Sequence, residues 1–209
     1  MRKMKRITAV AAAAALGAAI VAAAPSASAA DGTTSLAEVL TSGQVAFDQD
    51  FKDYDVLTSA VQAVLKAKPN SPVKVLADGN TAVTAFIPND RAFANLVKAL
   101  TGKAPASEKA TFDAVAGLGI DTVEQVLQYH VVPGATLLSG DALKANGAKL
   151  KTALPGKVIA VKVTGAPAII LGDYNKKLRN PKVILTQVDI NKGNKQVAHG
   201  IDGVLMPTK

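Results

Sequence analysis

The chain has 209 residues and a formal net charge of +8, with 49% hydrophobic and 4% aromatic residues. The absence of cysteine excludes disulfide bonds and thiolate metal sites, and the presence of only two histidines excludes a histidine-rich zinc site. So few aromatic rings disfavour single-strand nucleic-acid binding, in which stacking rings alternate with basic residues. We therefore expect a protein stabilised by packing, with no cofactor, no metal and no nucleic-acid partner.

The first 29 residues have the pattern of a secretory signal peptide. A basic head precedes an apolar run over 7–24, and small residues follow over 27–30, which predicts cleavage after Ala29 or after Ala30. A membrane-anchoring helix is the alternative, but the run is rich in alanine and no basic stop sequence follows it. Cleavage removes four of the 24 basic residues and none of the 16 acidic ones, so the net charge falls from +8 to +4.

The remaining chain is expected to be secreted and monomeric. We predict a short polar linker over 30–35, one domain over 36–207 and a tail over 208–209. About 180 residues are enough for one domain with a modest core. No cysteine near the cleavage site could carry a lipid, and no apolar segment at the C-terminus is long enough to span a bilayer.

The first predicted elements are helices. Apolar residues recur every three to four positions over 36–40 and again over 56–65, as in amphipathic helices. Four aspartates lie just before or at the start of the second helix: Asp48, Asp50, Asp53 and Asp55. A calcium loop is one interpretation, but the glycine and terminal glutamate of an EF-hand loop are missing. Carboxylates stabilised by the free amides and dipole of a helix start are the favoured interpretation.

Two short apolar runs, over 73–76 and 81–87, are separated by the turn residues 77–80 and predict a hairpin. The second run continues into the segment 84–93, which predicts a strand, a sharp corner and a helix. Pro88 removes an amide donor and stops the strand, and Asn89 or Asp90 can cap the helix that follows. That helix is expected to end at Gly102, and the whole segment to carry core residues on both halves.

Ser107 or Thr111 is expected to begin the next helix, and the spacing of Asp121 and Glu124 predicts a capping box for another. The second half of the chain is richer in β-forming residues. Its runs lie over 149–152, 157–164, 168–171, 182–190, 196–201 and 204–206. Helices followed by a β-meander predict an α+β domain in which the early strands join the later sheet.

The sequence contains no recognisable catalytic motif: a nucleophile elbow, a phosphate loop and a complete dinucleotide fingerprint are all missing. A secreted hydrolase or small-ligand carrier with a cleft between helices and sheet remains the alternative to a binding protein. A basic cluster is formed by Lys176, Lys177, Arg179 and Lys182, with Lys192 and Lys195 on the next turn. It is interpreted as a solvated turn region or as a surface attracted to an anionic cell-wall polymer.

Three segments together resemble the fasciclin (FAS1, βig-h3) domain family. Residues 84–93 are similar to its first homology box, 127–134 to its central Tyr-His segment and 197–207 to its second homology box. The resemblance extends over roughly 35–207. Gly200 stands where the family usually has a branched apolar residue.

The resemblance implies a β-sandwich or wedge of about seven strands with several helices packed against it. It also implies a non-enzymatic role in cell adhesion or extracellular-matrix interaction, through a cell-surface protein or a cell-wall polysaccharide. Similar secreted single-domain proteins occur in actinobacteria. The residues expected to hold the motifs together are Thr84, Phe86, Pro88, Asn89, Phe93, His199 and Asp202.

In animal members of the family, integrin contact is attributed to two short segments. The matching positions here, which are the candidate interaction residues, are Tyr129, His130, Asp189 and Ile190. On physical grounds Tyr129 and His130 lie at the end of an amphipathic helix, which predicts a packed tyrosine and a hydrogen-bonded histidine. His199 alternates with apolar residues, so it is also predicted to be a core histidine bonded to backbone or to a polar group.

Overall fold

The computed structural model of the chain describes residues 32–43, 45–165 and 168–208. The predicted signal peptide lies outside these residues. Residues 32–35, expected to be a linker, lie against the domain, because Gly32 exchanges backbone hydrogen bonds with Gly193 and Lys195. No helix among the described residues is long and apolar enough to cross a membrane.

Most helices lie in the first part of the described chain, and four of the strands follow one another at its end. The helices are α1 (Leu36–Thr41), α2 (Asp55–Ala67), a 3₁₀ helix (Pro72–Ala77), α3 (Asp90–Thr101), α4 (Glu108–Ala116), α5 (Ile120–His130) and α6 (Ser139–Ala142). The strands are β1 (Val83–Pro88), β2 (Val131–Pro133), β3 (Lys149–Lys151), β4 (Val158–Thr164), β5 (Ala168–Gly172) and β6 (Gln196–Ile201). This composition confirms the predicted α+β class, and the six strands are close to the expected seven.

The strands form two three-stranded sheets. In the first, β1 lies between β2 and β6, antiparallel to β2 and parallel to β6. The parallel pair runs from Val83 opposite Gln196 to Pro88 opposite Ile201, so it joins an early strand to the last one. The second sheet has the order β3-β4-β5 and is antiparallel throughout. The early strands therefore join the later part of the chain, as predicted.

Strand β1 separates two parts of the hydrophobic core. Val83, Ala85 and Ile87 pack into the cluster formed with the helices, which includes Phe93 of α3. Phe86 points to the other side and packs in the cluster that contains the second sheet. Because side chains alternate along a strand, one short segment supplies both clusters. Burial of each large side chain contributes roughly 1.5–3 kcal/mol to stability.

The corner after β1 is built as the sequence predicts. The Asn89 side chain accepts a hydrogen bond from the Ala92 amide at 3.0 Å and caps α3. Helix α3 ends at Gly102, whose φ of 77° is the left-handed conformation that glycine adopts without a steric cost. Ser107 likewise caps α4 by accepting from the Ala110 amide.

The predicted hairpin over 73–87 is wrong in its first half. Residues 72–77 form the 3₁₀ helix, because Pro72 favours a helical start and the Ser71 side chain accepts from the Val73 amide. Val73 and Leu76, three residues apart, are both buried. The apolar run that suggested a strand is therefore the inner face of one helical turn.

The predicted capping box of α5 is also wrong. The residue before the helix is Gly119, which offers no side-chain bond. Asp121 and Glu124 instead both accept from the Lys68 ammonium at the end of α2, with 2.6 Å to the Glu124 carboxylate. Their spacing of three residues places both on one turn, within reach of the Lys68 cation.

Two of the predicted β-runs do not form strands. Residues 204–206 are irregular, and 182–190 makes only isolated bridges. Lys182 pairs with Ile170 of β5, whereas Val183 pairs with Ile201 of β6. This segment therefore leaves the edge of the second sheet and reaches the edge of the first within two residues, and it connects the two sheets.

Candidate functional site

Tyr129, the first candidate interaction residue, lies inside the protein. Its side chain is 0% exposed, and its ring lies 6.2 Å from the Tyr174 ring, centroid to centroid. The phenol donates a hydrogen bond of 2.9 Å to the Val158 carbonyl at the start of β4. Tyr129 thus fastens the end of α5 to the second sheet, which confirms the prediction of a packed tyrosine.

His130 is buried beside it, with 4% of its surface exposed. The Nδ1 atom lies 2.7 Å from the Val126 carbonyl, and Nε2 accepts from the Leu205 amide at 3.0 Å. These partners place the proton on Nδ1. Burial lowers the pKa of His130 to about 4, so the ring is neutral at pH 7. The predicted hydrogen-bonded histidine is confirmed.

His199 on β6 is buried too, with 1% exposed, and it carries the opposite tautomer. Its Nε2 donates to the Leu137 carbonyl at 2.7 Å, and its Nδ1 accepts from the Asp189 amide at 3.3 Å. Burial lowers its pKa below the usual value, so it is also neutral at pH 7. The predicted core histidine bonded to backbone is confirmed.

Thr84 of β1 supports the same segment that His199 contacts. Its hydroxyl donates to the Ala135 carbonyl and accepts from the Leu137 amide, each at 2.8 Å. Residues 135–137 are therefore fixed on one side by β1 and on the other by β6. The motif residues Thr84 and His199 lie far apart in sequence and stabilise one loop.

Replacing His199 with alanine is expected to lower the free energy of unfolding by about 1–3 kcal/mol. The substitution leaves the buried Leu137 carbonyl and the Asp189 amide without partners. Urea denaturation of the wild type and the variant at pH 7 measures the difference. A variant that melts at the wild-type midpoint would show that the ring does not stabilise the fold.

The other candidate pair, Asp189 and Ile190, lies at a turn and is half-buried. Asp189 has a positive φ of 57°, and its carboxylate accepts from the amide and hydroxyl of Ser139 at 2.7 and 2.8 Å. Although burial alone would raise the pKa of Asp189, these bonds hold it below its usual value. Ile190 pairs with Ala198 through two backbone hydrogen bonds.

Tyr129 and His130 occupy one end of α5, and Asp189 contacts His199 on β6. Asp189 lies next to His199. Among the described residues, neither of them forms a hydrogen bond or an ion pair with His130. A cavity of about 20 Å³ borders His130, and the other residues that line it are apolar. That volume holds about one water molecule and no larger ligand.

The surface near Asp202 combines a groove with basic residues. The groove, of about 240 Å³, is lined by Asn95 and Leu96 of α3 and by Leu178, among others. Asp202 anchors its basic side, since its carboxylate accepts from the Lys182 amide at 2.7 Å and lies 3.1 Å from the Arg179 guanidinium. Asp202 is thus a structural residue at the base of the loop over 175–182.

The predicted basic cluster is divided in the structure. Lys176, Lys177, Arg179 and Lys182 are exposed on the loop near the end of β6, and we call them the basic loop. Lys192 and Lys195 precede the start of β6. A six-residue strand spans roughly 20 Å, so the two groups lie at opposite ends of it.

The fasciclin domain family model matches residues 55–207. The chain belongs to the fasciclin domain family. The match begins after α1, yet that helix is part of the folded unit, because Leu36 is fully buried and its amide donates to the Gln196 side chain at 2.8 Å. Fasciclin domains form a family associated with adhesion, and they are generally non-enzymatic.

A solved structure of a FAS1 domain pair from the insect cell adhesion molecule Fasciclin I is similar to this chain. The two are 20% identical with a TM-score of 0.45, and the alignment covers 73% of this chain and 43% of the other. The present chain therefore spans less than half of that protein chain. No curated protein matches the sequence.

The unusual Gly200 of this fasciclin domain has a packing reason. A Cβ atom at this position would overlap the Tyr54 hydroxyl and would lie 2.8 Å from the Gln187 Cβ. A branched side chain does not fit between β6 and these two residues. The Tyr54 and Gln187 side chains occupy the space that a side chain at residue 200 would need.

Sequence reasoning missed a cluster of three carboxylates: Asp53, Asp90 and Glu108. The aspartates over 48–55 were interpreted as one group at a helix start, whereas Asp55 accepts from the Ala46 amide and α2 is capped by Asp90. The signal was present in part, because Asp90 and Glu108 each begin a helix. The sequence around each of these residues does not indicate that the helix starts lie together in the fold.

Proposed function

We propose that this fasciclin domain is a secreted, non-enzymatic binding module that attaches to a cell-surface or cell-wall component, either a protein or a polysaccharide. The observation that carries the proposal is the family match over 55–207, since the family is associated with adhesion. The signal-peptide pattern over 1–29 supports secretion. The domain organisation that goes with it is one fasciclin domain over 36–207 after a cleaved leader.

The burial of the candidate residues limits how they take part in binding. Tyr129 and His130 are buried, so their role in the proposed binding is to hold the end of α5 in place. Asp189 and Ile190 are half-buried and can contact a partner directly. Direct contact is assigned to surface groups, among them the four exposed cations of the basic loop.

The basic loop supports an anionic partner. Its four cations are exposed. Of these four, only Arg179 forms an ion pair with a described acidic residue, Asp202. Neighbouring cations that are not neutralised attract anionic polymers over a distance of about a Debye length. The adjoining groove offers an apolar floor beside this charge, which suits a polysaccharide or an acidic protein segment.

Incubation of the purified protein with intact cells, washed cell-wall material and glycan arrays tests the proposal. We expect retention at low salt that weakens as the ionic strength rises. The Lys176→Glu/Lys177→Glu variant is expected to bind at least about fivefold more weakly, which corresponds to about 1 kcal/mol of lost attraction.

The matched control is Lys103→Glu/Lys144→Glu, which changes the net charge equally at exposed positions elsewhere. It should bind like the wild type. Equal weakening in both variants would remove the basic loop as the contact surface. Absence of binding to every material at low salt would contradict the binding function itself.

The alternative of a hydrolase or ligand carrier requires a deep pocket with converging polar groups near His130 or His199. Among the described residues, the cavity at His130 is small and apolar, and both rings are bonded to backbone groups. These observations favour the binding module.

A further inference from the structure

Three helix starts meet at one buried point of the structure. Asp53 lies just before α2, Asp90 is the first residue of α3 and Glu108 is the first residue of α4. One carboxylate oxygen from each lies within 4.8 Å of the other two. These three side chains are referred to below as the carboxylate cluster.

Each side chain of the carboxylate cluster has a buried oxygen that lacks a hydrogen-bond donor. Asp90 and Glu108 are both 0% exposed. One oxygen of Asp90 accepts from the Val56 amide at 3.0 Å, and one of Glu108 accepts from the Asp48 amide at 2.7 Å. Three further oxygens are buried and accept no hydrogen bond from an N–H or O–H group of the described residues: Asp53 Oδ1, Asp90 Oδ2 and Glu108 Oε1. The side chains of Asp53 and Asp90 lie within hydrogen-bonding reach of each other.

The charge of the cluster is not balanced by a basic side chain. Among the described residues, no lysine or arginine forms an ion pair with any of the three carboxylates. The nearest arginine in sequence, Arg91, instead stacks on the Phe51 ring at 4.9 Å. The neighbouring carboxylates of Asp48, Asp50 and Asp55 add further negative charge. Tyr54 adds none, because burial raises the pKa of its phenol, which stays neutral.

Unpaired buried charge is costly, so the cluster must be neutralised either by protons or by a cation. Burial, and then the neighbouring Asp53 carboxyl, raises the pKa of Asp90 to about 8. Burial also raises the pKa values of Asp53 and Glu108. These shifts have one cause, which is negative charge buried without a counter-ion.

We propose that Asp53, Asp90 and Glu108 bind a calcium ion, each through one carboxylate oxygen. Calcium takes oxygen ligands at roughly 2.3–2.6 Å, so oxygens on opposite sides of the ion lie up to about 5 Å apart. Oxygens within 4.8 Å of one another fit this geometry. Magnesium, at roughly 2.1 Å, requires a tighter set.

A pocket lies beside residues that flank the cluster in sequence. It has a volume of about 420 Å³ and is lined by residues next to the cluster, including Asp48, Phe51 and Ser107. Asp48 contacts Glu108 directly through its amide. Calcium ordinarily takes six to eight oxygen ligands, so three carboxylate oxygens leave places for water. The site joins the starts of α2, α3 and α4 and would stabilise their packing.

Thermal melting of the purified protein tests the calcium site. At pH 8, we expect 5 mM CaCl₂ to raise the melting temperature by about 3–6 °C relative to EGTA, if the affinity lies in the ~10⁻⁴–10⁻³ M range of extracellular modules. Protons compete with calcium for carboxylate ligands, so the shift should shrink when the same comparison is made at pH 4.5.

The Glu108→Gln variant removes one ligand charge and keeps an acceptor for the Asp48 amide. It should lose the calcium shift and, in EGTA at pH 8, melt no lower than the wild type. Asp113→Asn, an exposed carboxylate on the same helix, should respond like the wild type. If Glu108→Gln does not fold, Asp53→Asn replaces it, with folding checked by circular dichroism.

Equilibrium dialysis with calcium alone gives the second measurement, and we expect one ion per chain in the wild type and in Asp113→Asn. Wild-type protein that binds no calcium at pH 8 and melts identically in CaCl₂ and EGTA would overturn the proposal, and protons alone would then neutralise the cluster. A shift reproduced by NaCl of equal ionic strength, or kept in full by Glu108→Gln, would also overturn it.

Discussion

Replacing Tyr129 with alanine is expected to lower the free energy of unfolding by about 3–5 kcal/mol, as for other large aromatic residues removed from cores. The side chain is fully buried between the end of α5 and the second sheet, and its loss leaves a cavity and an unpaired Val158 carbonyl. Guanidinium denaturation followed by far-UV circular dichroism measures the change.

The control is Tyr129→Phe, which keeps the ring and removes only the hydroxyl, and it should cost about 1 kcal/mol. Because the ring is not exposed, Tyr129→Phe should also keep full binding to cells or wall material. Loss of binding in a Tyr129→Phe protein of normal stability would mean that the hydroxyl contacts the partner, contrary to its position in the structure.

The stabilising contribution of His130 is expected to disappear in acid. Burial lowers its pKa in the folded protein to about 4, against an ordinary value of 6.5. A group with a depressed folded pKa stabilises fully above its unfolded pKa and loses that contribution as the pH falls through the folded pKa. Between pH 7 and pH 4 the loss amounts to about 3 kcal/mol.

The comparison with His130→Gln isolates this effect. Glutamine does not titrate in this range, so the difference in unfolding free energy between wild type and variant should shrink by about 3 kcal/mol as the pH is lowered. The pKa of Asp90 is raised, so its contribution to stability changes with pH in the opposite direction. That contribution is the same in the wild type and in His130→Gln if the two sites are independent, and it then cancels in the difference between their unfolding free energies. Parallel pH profiles would contradict the prediction and indicate that the ring is accessible to protons in the folded state.

The two histidines illustrate how the family motifs work in this chain. His130 donates to the Val126 carbonyl and accepts from Leu205, whereas His199 donates to Leu137 and accepts from Asp189. Each ring joins segments distant in sequence through backbone groups. A buried neutral imidazole suits this task, because it offers one donor and one acceptor on opposite sides of a rigid ring.

Local features were predictable from the sequence because they depend on neighbouring residues. The strand, corner and helix around Pro88 and Asn89 follow from the missing amide of proline and the capping ability of asparagine. Gly102 ends α3 for a similar local reason. Alternation along β6 was enough to place His199 in the core. The family resemblance also rests on such short segments.

Errors arose where a pattern had two structural solutions. Residues 73–76 are apolar enough for a strand, but Pro72 and the Ser71 side chain favour a helical turn. Asp121 and Glu124 have the spacing of a capping box, but the Lys68 ammonium lies within reach. In the first case a local hydrogen bond to the Ser71 side chain favours the helical turn. In the second case a lysine from another helix binds the two carboxylates.

The sequence by itself determined the α+β class, the caps of α3 and α4, the glycine after α3 and the membership of the fasciclin family. Only the tertiary structure decided the parallel pairing of β1 with β6 and the meeting of Asp53, Asp90 and Glu108. Periodicity and capping are encoded within a few residues, where sterics and local hydrogen bonds act. Contacts between distant segments depend instead on how the whole core packs, which no single segment specifies.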